Sequence, residues 1–281
     1  MLLCVNQMLM RLYHYVLLAI TWLICCTSTT AQRRSVGDEQ LLPEVQAELA
    51  LKGDDYVLLG VQGLINTQPS IGADLDRLGF NFGYERFWNQ QWSGGATLQA
   101  NFFANQRDGI SGSELPSDFI PELFVRHWNT LGGFNFRQRL GVEYLISGGK
   151  NTQDRALTSL RLDLDRPIPI GTNGMLRPRL AYEAVAYLRL QRDEDEPKER
   201  VIDFGALRAE VGVRVSPHLD FTPWVTTQTN YINALPQFDA NGNQTAGGRT
   251  NLVTPVIGLD VRLTLFRGGA PFERRQLPTQ H

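Results

Sequence analysis

The sequence predicts an all-β protein: an antiparallel up-and-down transmembrane β-barrel of about ten strands, with twelve possible. Three observations predict this class. Segments with period-2 alternation recur along the chain, the connections between them are short and long in turn, and the chain opens with an export signal. Nothing between these segments has a sustained 3.6-residue period. The predicted location is the bacterial outer membrane.

The opening segment (1–31) is typical of a cleaved signal peptide. Arg11 supplies the positive charge, Leu12–Cys26 forms the apolar run, and small residues up to Ala31 predict cleavage before Gln32. A membrane-anchor helix is the alternative. The apolar run is interrupted by polar residues, however, and is shorter than the roughly 20 residues that span a bilayer. Cleavage would give an exported protein.

The cysteines and the net charge narrow the function classes. Cys4, Cys25 and Cys26 all lie in the leader, so the exported chain has no disulfide and no thiolate chemistry. The two cysteines that end the apolar run leave lipid modification as a further possibility. The net charge of −2 gives no electrostatic reason to bind nucleic acid. We expect outer-membrane lipid, lipopolysaccharide and the barrel-assembly machinery as partners, and no cofactor.

Ten alternating segments between Gly-, Pro-, Asn- and Asp-rich clusters are predicted as strands. Together they define a barrel over 56–266, followed by a polar tail over 267–281. The segments are 56–66, 79–88, 95–105, 119–129, 133–146, 156–165, 175–190, 200–215, 219–232 and 251–265.

The connections between these strands fall into two kinds that alternate along the chain. The short ones are Asn89–Gly95, Asn129–Gly132, Arg166–Gly174 and Ser216–His218. The longer, more polar ones are Thr67–Leu78, Gln106–Asp118, Ser147–Arg155, Gln191–Glu199 and Asn233–Thr250. Short periplasmic turns and longer extracellular loops are typical of outer-membrane barrels. An even strand number then predicts that both ends of the barrel fall on the short-turn side.

The stretch before the first predicted strand has two interpretations. In "PEVQAELALKGDDY", apolar residues alternate with Gln46, Glu48 and Lys52. Residues 32–55 are therefore either a periplasmic segment or an extra strand. An extra strand alone would make the number odd, so it would require a further strand hidden in a long connection.

Charged residues occupy one face of most predicted strands, and apolar residues occupy the other. In "FNFRQRLGVEYL", for example, one face has Phe136, Leu140 and Val142. The opposite face has Arg137, Arg139 and Glu143. In a membrane barrel the apolar face meets lipid and the charged face lines the lumen. The predicted lumen-lining residues are Arg137, Arg139, Glu143, Arg161, Asp163, Arg177, Arg179, Glu183, Arg208, Glu210, Arg214, Asp260 and Arg262.

A soluble periplasmic barrel or sandwich would place the same apolar face in its core and bind an apolar ligand there. The positions of the aromatic residues favour the membrane barrel, because aromatic girdles lie at both membrane interfaces. The residues at the short-turn ends are Trp88, Trp92, Trp128 and Phe134, and those near the long-loop ends are Tyr144 and Tyr231.

The lumenal charges themselves have two possible roles. Arginine pairs with carboxylates in a bidentate manner, so ion pairs of both signs can fill a narrow lumen. Alternatively, the excess of arginine forms a constriction that prefers anions. The predicted function is therefore non-enzymatic, either a narrow pore or a structural barrel.

Four short runs follow a common pattern: "LLPEVQAEL", "FRQRLGVEY", "LRPRLAYEA" and "GLDVRLTLF". The R-x-R-x-x-x-E spacing occurs at Arg137 and again at Arg177. In these features the chain resembles the domain-of-unknown-function 2490 family. The resemblance covers most of the exported chain. It implies an outer-membrane β-barrel, and it brings no established activity or catalytic residue.

No catalytic or metal constellation emerges from the remaining residues. His127 has no serine nearby, His218 lies in a tight turn and His281 is the last residue. A zinc site is not predicted, because the exported chain has no cysteine and no pair of closely spaced histidines. "FDANGNQTAGGRT" begins like a calcium loop but has Gln244 where glycine is required. The acidic run "RDEDEPKER" is typical of a solvated loop.

Overall fold

The structure, a computed structural model, describes residues 33–51, 53–68, 72–104, 117–148, 154–171, 174–188, 202–242 and 244–266. The predicted signal peptide (1–31), the acidic run "RDEDEPKER", His281 and the polar tail (267–281) lie outside these residues. No helix in the described ranges is long and apolar enough to cross a membrane.

Thirteen strands are present in the described part of the chain. They are β1 (Arg33–Val36), β2 (Glu39–Ala50), β3 (Tyr56–Gln68), β4 (Gly72–Phe87), β5 (Trp92–Phe103), β6 (Ser117–Leu131), β7 (Phe134–Ser147), β8 (Arg155–Asp165), β9 (Ile168–Ile170), β10 (Gly174–Tyr187), β11 (Phe204–Ser216), β12 (Leu219–Phe238) and β13 (Gln244–Phe266).

The strands form a closed, mainly antiparallel up-and-down barrel, which confirms the predicted all-β barrel and its approximate strand number. Strands adjacent in sequence pair antiparallel around the ring, except that β10 pairs with β8 across the short β9. In the described ranges, eleven strands make up the ring, while β1 pairs with β13 and β9 pairs with β10 outside it. The barrel is all-β because the period-2 pattern extends through nearly every described segment.

The ring closes by parallel pairing of β2 with β13. The register runs from Gln40 opposite Val256 to Ala50 opposite Phe266. The expectation of an even strand number is therefore wrong: an odd ring is possible because its first and last strands run in the same direction. Residues 39–50 supply the extra strand, and no hidden partner strand is needed among the described residues.

The two ends of the barrel differ. We call the end with the connections 51–55, 88–91, 132–133, 166–173 and 217–218 the turn end, and the opposite one the loop end. The C-terminal end of β13 lies at the turn end, but β2 begins at the loop end, so the prediction that both lie at the turn end is wrong. Parallel closure of an odd ring requires this difference.

Two loop-end connections are shorter than the sequence predicts. The strands extend into them: β3 and β4 leave only 69–71 between them, and β12 and β13 leave 239–243. Polar residues such as Thr67 and Asp76 continue the strands because they pair across them: Thr67 Oγ1 donates to the Glu39 carbonyl oxygen at 2.8 Å, and Asp76 Oδ1 accepts from Asn66 Nδ2 at 3.3 Å. Polarity alone therefore marked the end of each strand too early.

The barrel is apolar outside and polar inside. On β7, Leu140, Val142 and Tyr144 are exposed, whereas Arg137 and Arg139 on the opposite face are buried. The same alternation recurs on β8, β10 and β11. A small apolar cluster of Tyr56, Leu58 and Trp128 lies within the ring. Most of the buried interior consists of charged and polar side chains rather than an apolar core.

Candidate functional site in the barrel lumen

The structure places all thirteen predicted lumen-lining side chains on the inner face of the ring. Glu143 and Glu183 are half-buried, and the other eleven are buried. Because each lies at an alternate position of its strand, the pleat directs it inward. Their role in any function stays a prediction.

The most completely buried carboxylate is Glu85 on β4, with no exposed surface. Arg126 Nη1 donates to both of its oxygens, at 2.7 and 2.6 Å. Tyr56 and Ser93 donate their hydroxyl protons to the same carboxylate, each at 2.5 Å. Trp128 Nε1 donates to Ser93 Oγ at 3.3 Å. Glu85 therefore connects β3, β4, β5 and β6 inside the ring.

Three arginines lie side by side across neighbouring strands. Arg126 is directly opposite Arg139, and Arg139 is directly opposite Arg161. Like charges in opposite positions destabilise a sheet, so each arginine needs a carboxylate of its own. Arg139 Nη2 donates to Glu122 Oε2 at 2.7 Å, and Arg161 Nε donates to an oxygen of the aspartate two residues along its strand at 3.3 Å. The row is stable because acids lie beside it.

Aspartates of β8 connect this row to the arginines of β7 and β10. Asp165 forms ion pairs with both Arg137 and Arg177, the second at 3.1 Å. Asp163 Oδ1 lies 3.7 Å from Arg179 Nε. These groups fill the middle of the lumen. We call the following set the charge layer: Glu85, Arg126, Arg137, Arg139, Arg161, Asp163, Asp165, Arg179 and Glu210.

A second network extends from the charge layer to the parallel seam. Arg208 pairs with Glu210 at 2.8 Å and with Asp260 at 3.0 Å, and its guanidinium carbon lies 3.9 Å from the Trp224 ring centroid. Trp224 Nε1 donates to Asp260 Oδ1 at 2.7 Å. Arg262 reaches across the seam to β2, where its Nε donates to Gln46 Oε1 at 2.9 Å. Side chains therefore reinforce the barrel closure.

Two cavities lie at the two ends of the lumen. The loop-end cavity has a volume of about 280 Å³ and contains Glu122, Glu143 and Glu183 among its lining residues. The turn-end cavity has a volume of about 560 Å³ and contains Arg137, Arg177 and Trp128 among its lining residues. Arg139 lines the loop-end cavity although it is only two residues from Arg137 on β7. The charge layer therefore lies between the cavities.

The two cavities differ in charge. Four arginines and four glutamates line the loop-end cavity, so its charges balance. The turn-end cavity has two arginines, Arg137 and Arg177, and no acidic residue among its described lining residues. The remainder of its wall is neutral: Gln90, Gln91, Trp128, Asn129, Thr130, Asn135, Pro167 and Met175.

Several lumenal residues were missed by sequence reasoning. Glu85, Arg126 and Glu122 belong to strands whose alternation is visible, and all three lie opposite the outward set. A stricter application of the same period-2 rule would have found them. Glu44, Gln46 and Glu48 were missed for another reason: the sequence left their segment unassigned between a strand and a periplasmic stretch.

The structure corrects the predicted place of Trp128 and gives two histidines local contacts. Trp128 is buried in the lumen and is not part of an outer aromatic girdle. His127 Nδ1 lies 2.7 Å from Gln138 Oε1, and the His127 ring is 4.3 Å from the Trp92 ring. His218 Nδ1 lies 2.9 Å from the Thr264 carbonyl oxygen. The backbone N–H of His218 donates to Ser216 Oγ at 3.3 Å.

The described residues contain no group of three or more His, Cys, Asp or Glu side chains placed to hold a metal ion. The Ser93 hydroxyl, which is hydrogen-bonded to both Glu85 and Trp128, is not accessible as a nucleophile. Ser93 is fully buried and bonded to Glu85, so a substrate cannot reach it in this arrangement. The arrangement can pair charges, repel ions of one sign and hold polar solutes at either end.

Close approach at Gly258 gives a testable consequence. A Cβ atom added at this position would overlap the Trp224 ring. We expect Gly258→Ala to lower the free energy of unfolding by about 1–3 kcal/mol, because the ring must move away from Asp260 and Arg208. Thermal unfolding of the purified protein in detergent measures the change.

The matched control is Gly63→Ala on β3, where an added Cβ would meet only Leu75 at an ordinary 3.7 Å. We expect this variant to unfold like the wild type. Equal stability of the two variants would contradict the packing of Trp224 over Gly258.

No protein-family model matches the chain, and no curated protein matches it. The resemblance to the domain-of-unknown-function 2490 family therefore stays a prediction, as does the absence of enzymatic activity.

Proposed function

We propose that the protein is a bacterial outer-membrane β-barrel without enzymatic activity, whose narrow lumen is closed at its centre by the charge layer. The exposed apolar surface of the ring carries this proposal. Leu123, Leu140, Leu180, Val225 and Ile257 all project outward from the middle of their strands. Monomeric soluble proteins rarely expose contiguous apolar patches larger than a few hundred Å².

Aromatic residues at the two ends of the ring support a membrane location. Trp88, Trp92 and Phe134 are exposed near the turn end, and Tyr144 is exposed towards the loop end. Aromatic side chains with both apolar and polar parts favour the interfaces of a bilayer. The apolar band between them has strands of sufficient length, since a spanning strand needs only about 9–11 residues.

The soluble alternative, a periplasmic barrel that binds an apolar ligand inside, is less well supported. Its ligand would meet buried arginines and carboxylates rather than an apolar cavity. Bringing apolar groups into contact with charged side chains gains none of the free energy that drives apolar burial. The lumen suits water, ions and small polar solutes better.

The charge layer supports a closed or very narrow lumen. Its members are at most 8 % exposed. Breaking any one of these buried ion pairs would leave an uncompensated charge in the interior, which is costly in free energy. The side chains of the layer are therefore held in place. We therefore expect the wild-type protein to conduct weakly or not at all in a planar lipid bilayer.

Removing one ion pair from the charge layer is expected to open it. Arg179 and Glu210 are opposite each other on β10 and β11 and form an ion pair. The double variant Arg179→Ser with Glu210→Ser removes two long side chains without changing the net charge. We expect discrete conductance steps at least several times larger than any seen for the wild type, because the lumen widens within the charge layer.

The control, Arg179→Lys, keeps a long cationic side chain beside Asp163 and Glu210 and is expected to conduct like the wild type. Extraction of the protein from membranes without detergent would contradict the proposed location. Large steps from the wild type would contradict a closed lumen, and an unchanged double variant would show that this pair does not limit conduction.

A further inference from the structure

We propose that the turn-end cavity binds an oxyanion group, a phosphate or a carboxylate, carried on a small organic solute. Arg137 and Arg177 are the residues that recognise it. This site goes beyond the proposed barrel function, because a closed or an open lumen can equally hold a ligand at one end.

Charge is the first argument for this site. Arg137 and Arg177 are the charged residues among the described lining of the cavity, and both also pair with Asp165 behind it. Asp165 is also occupied on its other oxygen, where Asn135 Nδ2 donates at 3.0 Å. The lining therefore has an excess of positive charge, and a second anion entering the cavity would balance it.

The surroundings of the Arg137 guanidinium also favour an anion site. The residue is only 1 % exposed, and apart from its ion pair with Asp165 its Nε, Nη1 and Nη2 atoms make no hydrogen bond to any described residue. A guanidinium carries five N–H donors in a planar fork that matches the oxygens of phosphate and carboxylate groups. Buried donors without acceptors are costly, so a ligand oxygen beside them is stabilised.

Buried guanidinium atoms without a hydrogen bond also occur in the loop-end cavity, on Arg139 and Arg161, but that cavity has no excess of positive charge. There Glu122 accepts from Arg139, and the acidic side chains equal the basic ones in number. An anion entering that cavity would meet carboxylates. The comparison restricts the proposal to the turn end.

Size and surface indicate what carries the oxyanion. A volume of about 560 Å³ lies within the range of roughly 300–1,000 Å³ of small-molecule sites and exceeds what a bare phosphate ion requires. Trp128, Pro167 and Met175 contribute apolar surface, while Asn129 and Thr130 add polar groups. A solute with a small ring and one oxyanion group fits both parts of the wall.

Isothermal titration of the detergent-solubilised protein tests the site with three probes: phenyl phosphate, benzoate and uncharged benzyl alcohol. We expect saturable binding of at least one of the two anions and none of benzyl alcohol. The two anions distinguish phosphate from carboxylate recognition. Inorganic phosphate as competitor shows whether the group alone is sufficient.

Two variants and one control locate the binding. Arg137→Lys keeps the charge but loses the planar fork, and we expect about tenfold weaker binding. Gln91→Glu adds a negative charge to the cavity wall at an exposed turn residue, so the barrel stays intact; we expect a loss of tenfold or more. The control, Gln228→Glu, makes the same change in the loop-end cavity and should bind like the wild type.

The absence of anion binding by the folded wild type would overturn the proposal. So would equal affinity of the wild type and Gln91→Glu. Because binding is measured in detergent and without a membrane potential, either result is independent of whether the barrel conducts.

Discussion

Replacement of Leu140 by arginine is expected to lower the free energy of unfolding from a lipid bilayer by about 2–4 kcal/mol. Leu140 is 57 % exposed in the middle of β7, and its outward neighbours across the sheet are Val125 and Leu160. In a bilayer an arginine there must leave water for hydrocarbon. In a soluble protein the same exposed substitution would change stability by only about 0.5 kcal/mol in either direction.

Denaturant titration of the protein reconstituted in lipid vesicles measures this difference. The matched control is Ile170→Arg in the short β9, which is 50 % exposed at the turn end. We expect the control to cost less than about 1 kcal/mol, because its side chain can reach water. If both variants are equally mild, the outward apolar band does not face lipid.

The second large effect is expected at Glu85. Its replacement by alanine removes the carboxylate that accepts from Arg126, Tyr56 and Ser93, and leaves Arg126 buried without its close partner. Breaking a buried ion pair by removing one partner costs about 3–5 kcal/mol. We therefore expect Glu85→Ala to unfold at much lower denaturant concentration than the wild type, or to fail to insert.

Glu143→Ala is the control for loss of a lumenal carboxylate. Glu143 lies directly opposite Glu122 on β6, so its removal relieves a repulsion between like charges. We expect stability equal to that of the wild type or slightly above it. A large loss in this variant, or a wild-type stability of Glu85→Ala, would show that the ion pairs around Glu85 do not hold the lumen together.

The sequence was sufficient to predict the fold class because a half-buried strand repeats every two residues, and this pattern needs no knowledge of partners. In the segment containing Arg177 and Arg179, alternation alone identified both the strand and its charged face. The ring could be inferred from the alternation of short and long connections. Individual strand ends could not, since Thr67 and Asp76 are polar and still belong to strands.

The parallel closure could not be predicted from local pattern. The alternation of residues 39–50 identifies a strand but carries no information about its direction relative to a strand over 200 residues away. Register in the seam depends on side-chain pairs such as Arg262 with Gln46, which only the closed ring brings together. The assumption of an even ring therefore had no local signal to correct it.

The ion-pair partners of the lumenal charges likewise could not be predicted from the sequence. Inward direction follows from period 2, but which acid meets which arginine depends on the register and tilt of neighbouring strands. Trp128 shows the same limit. Its position near a short turn suggested a girdle, whereas its place on the inner face brings its indole N–H to Ser93.

The parallel seam also determines the order in which the barrel can form. β2 is the first strand of the ring to be synthesised, yet one of its edges has no partner until β13, the last strand, is complete. Before closure the strands of the ring can form at most an open sheet with two unpaired edges, the kind of surface on which other strands add and aggregate. Closure brings together residues that are 216 positions apart in the sequence, such as Arg262 and Gln46. The contacts that offset this loss of chain entropy therefore form only at the final step. Since parallel pairing is slightly weaker per residue than antiparallel pairing, the strand pair formed last is also expected to separate first when the protein unfolds.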